Sequence, residues 1–196
     1  KDVLAGKNGF SYTFSNMLGG GAFAIFSYYL SSPINLLVLF FNKENLRAFF
    51  DIAVVIKLSL AAFTCSWFLV ETFRERINNR LKYAMTVVLS VSYALCQYNI
   101  AQSSNIMWLD GVIMAPCALL GVWRLMQRHA CAGLFAAAAG AIWFNWYTGY
   151  MVCLLCVLYF LYELARRTEL RGRRLRRCVR FAAIMALAVG AGIAVL

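Results

Sequence analysis

The stretch AFFDIAVVIKLSLAAFTCSWFLVETF, Ala48 to Phe73, decides how the chain is to be read. It is apolar almost throughout, and a helix of roughly 20 residues suffices to cross about 30 Å of hydrocarbon. Comparable runs follow at about Leu81 to Ala101, Trp108 to Leu125, Ala130 to Phe144 and Tyr147 to Leu164, and another opens near Phe181. Hydrophobic residues make up 63% of the 196, and charged residues 14%, against roughly a quarter charged in soluble domains. Too little polar surface is left to face water. The sequence therefore predicts an all-α, polytopic transmembrane helix bundle over residues 48–196, with about six helices. The last is cut short, because Phe181 to Leu196 would rise only about 24 Å.

The formal net charge of +11 would suit nucleic acid if it formed one patch, but it is dispersed between the apolar runs. Arg74, Arg76, Arg80 and Lys82 fill one gap, Arg124 and Arg128 another. Arg166, Arg167, Arg171, Arg173, Arg174, Arg176, Arg177 and Arg180 fill a third. The gaps between them, Ala101 to Met107 and Asn145 to Gly149, hold no Lys or Arg. Cytoplasmic loops are enriched in these residues. The alternation thus predicts residues 166–180 inside the cell and the uncharged turns outside, with no nucleic-acid partner.

Residues 1–47 are then an extracytoplasmic segment ahead of the bundle. Ser27, Ser31, Ser32, Pro33 and Asn35 interrupt the run Ala22 to Phe41, and a proline breaks the helical hydrogen-bond ladder. Short helices in the outer interface are expected there rather than a crossing, with Tyr28 and Tyr29 at headgroup depth. The start at Lys1 and the apolar end at Leu196 lead us to expect a longer parent chain.

The seven cysteines fall mostly within apolar runs, as small packing residues rather than a disulfide framework. No P-loop, HExxH or paired His and Cys occurs, Gly19-Gly20-Gly21 lacks a nucleotide-loop context, and the single histidine, His129, lies at a basic turn. Neither nucleotide nor haem is expected. Small residues at four-residue spacing, Ala132, Ala136 and Gly140, then Ala182, Ala186, Gly190 and Ala194, predict faces where helices approach closely.

Lys57 is the residue that most needs a reason, since a charge at the centre of a membrane helix costs about 2.5–3.5 kcal/mol on insertion scales. Counted from Arg47 it falls about 15 Å along its helix, near the midplane. Its ammonium either faces a cavity, where it could hold a phosphate or an acidic partner, or forms a structural ion pair or snorkels. Asp110 opens a helix at the far edge of a polar turn. There it could bind a divalent cation such as Mg or Mn, accept sugar hydroxyls, or simply complement the helix dipole. Asp51 has the same readings. Asn145 to Tyr150 make a tight turn whose aromatics, Tyr147 among them, suit either an interfacial belt or a surface on which sugar rings stack.

Taken in order, Tyr12-Thr-Phe-Ser-Asn-Met-Leu-Gly-Gly-Gly, Tyr28-Tyr29-Leu-Ser-Ser-Pro33-Ile-Asn35, Lys57, Trp108-Leu-Asp110 and Asn145-Trp-Tyr-Thr-Gly149-Tyr150 resemble the bacterial YfhO family of multi-pass membrane proteins. The resemblance runs over nearly the whole chain. It implies a GT-C-like fold in the bacterial cell membrane. It also implies an enzyme that moves a sugar from a polyprenyl-phosphate carrier to an extracytoplasmic envelope polymer such as teichoic acid. In such enzymes the main acidic residue usually sits in the first outer loop, expected upstream of Lys1. Here Lys57, Tyr28, Asn145 and Tyr147 are the candidates for substrate binding, and Asp110 for base or metal ligand. A transporter or flippase for a lipid-linked sugar would use much the same features.

Overall fold

The computed structural model describes residues 31–73, 79–167 and 174–195, and every regular element among them is helical. Two 3-10 helices, Asn35–Phe40 and Lys43–Asn45, lead into α1, Leu46–Thr72. There follow α2, Asn79–Ala94, and α3, Gln97–Ala101. Then come α4, Leu109–Arg128, α5, Ala132–Phe144, α6, Trp146–Arg166, and α7, Arg174–Val195. Among the described residues four stretches are long and apolar enough to cross a membrane: α1, residues 80–101, α4 and α6. Together with the composition they make this an all-α helical bundle embedded in a membrane in several passes.

Several boundaries depart from those expected, each for a local reason. Residues 81–101 are not one helix: after Ala94 the Asn99 amide donates to the carbonyls of Tyr93 and Ala94, at 2.8 and 3.0 Å, and so occupies carbonyls that a helix end leaves open. The last helix starts at Arg174 rather than Phe181. Its first turns are held because Arg177 Nη1 donates to the Met126 carbonyl at 2.7 Å, near the end of α4. The chain near Pro33 does leave α-helical geometry, with the Asn35 N–H bonded to the Ser32 carbonyl at 3.0 Å and a 3-10 turn following. The rest of the expected interfacial segment, Tyr28 included, lies outside the described residues.

α4 is the hub. Its apolar window is 61% buried, against 22–33% for the other three candidate spans, because α1, α5 and α6 all pack on it. A second layer forms where α5 packs against α6 and α7, and the stacked rings of Phe160 and Phe181, 4.2 Å apart, join α6 to α7. Only part of the expected small-residue stripes packs: Gly140 is half-buried, and a Cβ there would stand 2.9 Å from Met114 Cε of α4. Ala132, Ala136, Ala182, Ala186 and Gly190 are exposed. The buried face of α5 is instead Leu134, Ala137, Ala138, Ala141 and Ile142, met by Phe181, Ile184, Met185 and Ala188 of α7. An alanine-rich helix offers several small stripes, and the one used accepts bulky partners from its neighbour.

Close approach is instead set by two glycines. A Cβ on Gly121 would stand 2.6 Å from Leu134 Cα, and one on Gly149 2.6 Å from Ile142 Cα, so backbone meets backbone at both. Gly133 faces open space. Gly121→Ala is expected to lower stability by about 1–3 kcal/mol through overpacking. Gly133→Ala should leave stability unchanged or slightly raised, since Ala is the better helix former. Thermal unfolding of both variants in detergent checks the contrast.

Candidate functional site

Lys57 stands eleven residues into α1, about 16 Å along its axis, and is fully buried. Its Nζ donates to Asp110 Oδ2 at 2.8 Å and to the Ile106 carbonyl at 2.7 Å. Asp110 lies in the first turn of α4, where free N–H groups and the helix dipole favour a carboxylate. Its other oxygen accepts from Ser32 Oγ at 2.9 Å. Either charge alone would be strongly disfavoured here. Paired, with further bonds to the Ile106 carbonyl and from the Ser32 hydroxyl, the two compensate each other's desolvation. Two residues that sequence reasoning proposed for separate tasks are thus direct partners.

The neighbouring turns join the same layer. Ser31 Oγ donates to the Phe144 carbonyl at 2.7 Å, so Ser31 and Ser32 strap the chain before α1 onto the end of α5 and the start of α4. Asn145 is fully buried, and its Oδ1 accepts from the Thr148 N–H at 3.0 Å as the N-cap of α6. Thr148 in turn fills the space over Gly111, where a Cβ would come within 2.5 Å of its own. The Asn145 side chain therefore shapes the turn. Tyr147 is 40% exposed. Its ring lies 6.2 Å from that of Trp108 and 6.1 Å from that of Trp146, making an aromatic rim beside the polar layer. Asp51 is exposed and set apart from this cluster, and Tyr28 lies outside the described residues.

The depth of this layer follows from a second ion-pair set. Glu71 meets Arg124 at 3.8 Å and Arg128 at 3.3 Å at the basic end of the bundle. From Lys57 to Glu71 and from Asp110 to Arg124 are each 14 residues, about 21 Å of helix. Measured from the basic end across about 30 Å of hydrocarbon, the Lys57 layer lies past the midplane, about 9 Å short of the opposite boundary. Irregular backbone at that depth is tolerated where it is buried in protein or lines a polar cavity. Three irregular segments meet here: residues 31–34, residues 102–108 and the α5–α6 junction.

Asp110 makes a poor start for a divalent-cation site. Its oxygens are engaged by an ammonium and a hydroxyl, the ammonium would repel a cation, and no group of three or more His, Cys, Asp or Glu comes together among the described residues. Sequence reasoning missed Ser31 and Ser32 as site residues. The signal was a hydroxyl pair directly before the proline that ends regular structure.

A buried lysine–aspartate pair at the recessed end of a multi-pass helical bundle defines an integral membrane protein with a built polar centre. The family model described as "Bacterial membrane protein YfhO" matches residues 1–196, the entire chain, and the protein belongs to that family. No curated protein and no solved structure matches it.

Because the charges compensate each other, removing one should cost more than removing both. Lys57→Met or Asp110→Leu alone is expected to lower stability by about 3–5 kcal/mol, and the double variant to recover most of that loss. Unfolding of the two single variants and the double variant in detergent measures the coupling. Additive losses would show that the two side chains act independently.

Proposed function

We propose that this protein is a membrane glycosyltransferase that takes a sugar from a polyprenyl-phosphate carrier and passes it to an extracytoplasmic envelope polymer of the teichoic acid kind. The observation that carries the reading is the Lys57–Asp110–Ser32 cluster, set beside an aromatic rim at the end of the bundle whose turns 101–107 and 145–149 hold no Lys or Arg. The resemblance read from the sequence motifs suggests the reaction class, and the distribution of Lys and Arg supports placing this end outside the cell.

In such a transfer an acceptor hydroxyl attacks the anomeric carbon, the bond from that carbon to the phosphate oxygen breaks, and the lipid phosphate departs with the electron pair. The acceptor proton passes to a base. A developing phosphate anion is stabilised by fixed cations and donors in a water-poor setting. Lys57 uses two of its three N–H donors on Asp110 and Ile106, which leaves one for the leaving phosphate. Asp110, tied to Lys57 and Ser32, acts here as the residue that orients the ammonium. The base is assigned to the outer loop that the resemblance places upstream of Lys1. Trp108 and Tyr147 offer faces for a sugar ring.

Membranes carrying the protein, supplied with a polyprenyl-phosphate sugar and a polymer acceptor, should transfer sugar to the polymer. Lys57→Met/Asp110→Leu, chosen to retain the fold, should lower that rate by about 10²-fold or more. Equal transfer in both would reduce the cluster to scaffolding. Movement of the carrier across the bilayer without any transfer would favour a flippase instead.

A further inference from the structure

The bundle has a second polar centre, at its basic end, which the proposed transfer does not use. The last turns of α1, α4 and α6 converge there on a cavity of about 500 Å³. α1 and α6 both pack along α4 and leave a cleft between them, with Phe68 and Tyr159 meeting edge to face at 6.2 Å. Phe68, Trp123, Tyr159 and Tyr162 give the cavity an aromatic wall.

Charged groups of both signs stand around it among the described residues. Glu71 and Glu163 are 15% and 2% exposed and sit in the wall, but each is met by two guanidinium groups. Arg124 and Arg128 lie 3.8 and 3.3 Å from Glu71, and Arg166 and Arg167 lie 3.8 and 2.8 Å from Glu163. Of these six side chains Glu71, Glu163, Arg128 and Arg166 line the cavity itself. Three of the four distances exceed the 2.7–2.9 Å or so of a close charge-assisted bond, so those guanidiniums keep donors unspent. Arg128 and Arg166, 57% and 40% exposed, present their heads to the cavity. Thr72 Oγ1 is buried at its wall and makes no hydrogen bond.

We propose that this cavity binds the phosphate group of an anionic membrane lipid, held by Arg128, Arg166 and the Thr72 hydroxyl, with an acyl chain lying along the aromatic wall. Guanidinium forks suit phosphate oxygens in pairs. The final turns of membrane-crossing helices lie at the depth of lipid headgroups. A soluble phosphate offers the same oxygens, but it would leave the aromatic wall unused.

The test uses protein purified from membranes, native mass spectrometry, and three probes: phosphatidylglycerol, phosphatidylcholine and inorganic phosphate. Phosphatidylglycerol should be retained about tenfold better than phosphatidylcholine, a difference of about 1.4 kcal/mol. Arg128→Gln/Arg166→Gln should abolish that preference. Thr72→Val, nearly isosteric, should weaken phosphatidylglycerol retention without moving the melting temperature in neutral detergent, which keeps the test open if the double variant folds poorly. Equal retention of the two lipids, or a preference indifferent to all these changes, would overturn the proposal. So would inorganic phosphate bound through the same arginines with no lipid preference, since the site would then serve a soluble anion. None of these readouts depends on sugar transfer.

Discussion

An ammonium and a carboxylate 2.8 Å apart, far from water, are the constraint to which the rest of this bundle conforms. A buried ion pair is weak evidence for stability in itself, because desolvation offsets much of the attraction. What it fixes is register. α1 and α4 run parallel, and each carries a second charged residue 14 residues beyond the first, with the signs exchanged: lysine then glutamate on α1, aspartate then arginine on α4. Fourteen residues are close to four helical turns, so both pairs occupy nearly one seam. A slip of α1 along α4 would part them together.

That register places irregular backbone where it can be satisfied. Because Asp110 is in the first turn of α4 yet meets a lysine eleven residues into α1, the first turns of α1 overhang the polar layer and are clasped by the two 3-10 helices. Phe49 and Ala53 bury there against Ile106, with Leu37, Val38 and Phe41 around them. The 13-residue α5 ends at the same layer, its last carbonyl taken by Ser31. Three turns that would each be costly alone in hydrocarbon thereby share one polar floor.

Much of this was legible in the sequence, in a particular sense. The helical runs follow from length and hydropathy, and Lys57 and Asp110 were each conspicuous as polar groups at the wrong depth. Their partnership was not legible. It depends on how far α4 begins along α1, which tertiary packing decides and no local pattern records. The small-residue stripes were only partly informative for a related reason: four-residue spacing says that a face can pack closely, and an alanine-rich helix has several such faces. The break at Leu95 and Cys96 needed the Asn99 amide folded back on its own helix. The early start of α7 needed a carbonyl on α4 for Arg177. Both partners are supplied only by the folded chain.

The ion pair also sets an order of events in synthesis. Lys57 and Asp110 are 53 residues apart, and at roughly 5–20 residues per second the ribosome needs several seconds to pass from one to the other. Throughout that interval α1 must be accommodated at the site of insertion with its ammonium unmatched, carried by the apolar residues around it. Commitment of the first helix to the lipid is therefore completed by a residue at the start of the fourth, and α2 and α3 must take their places in between.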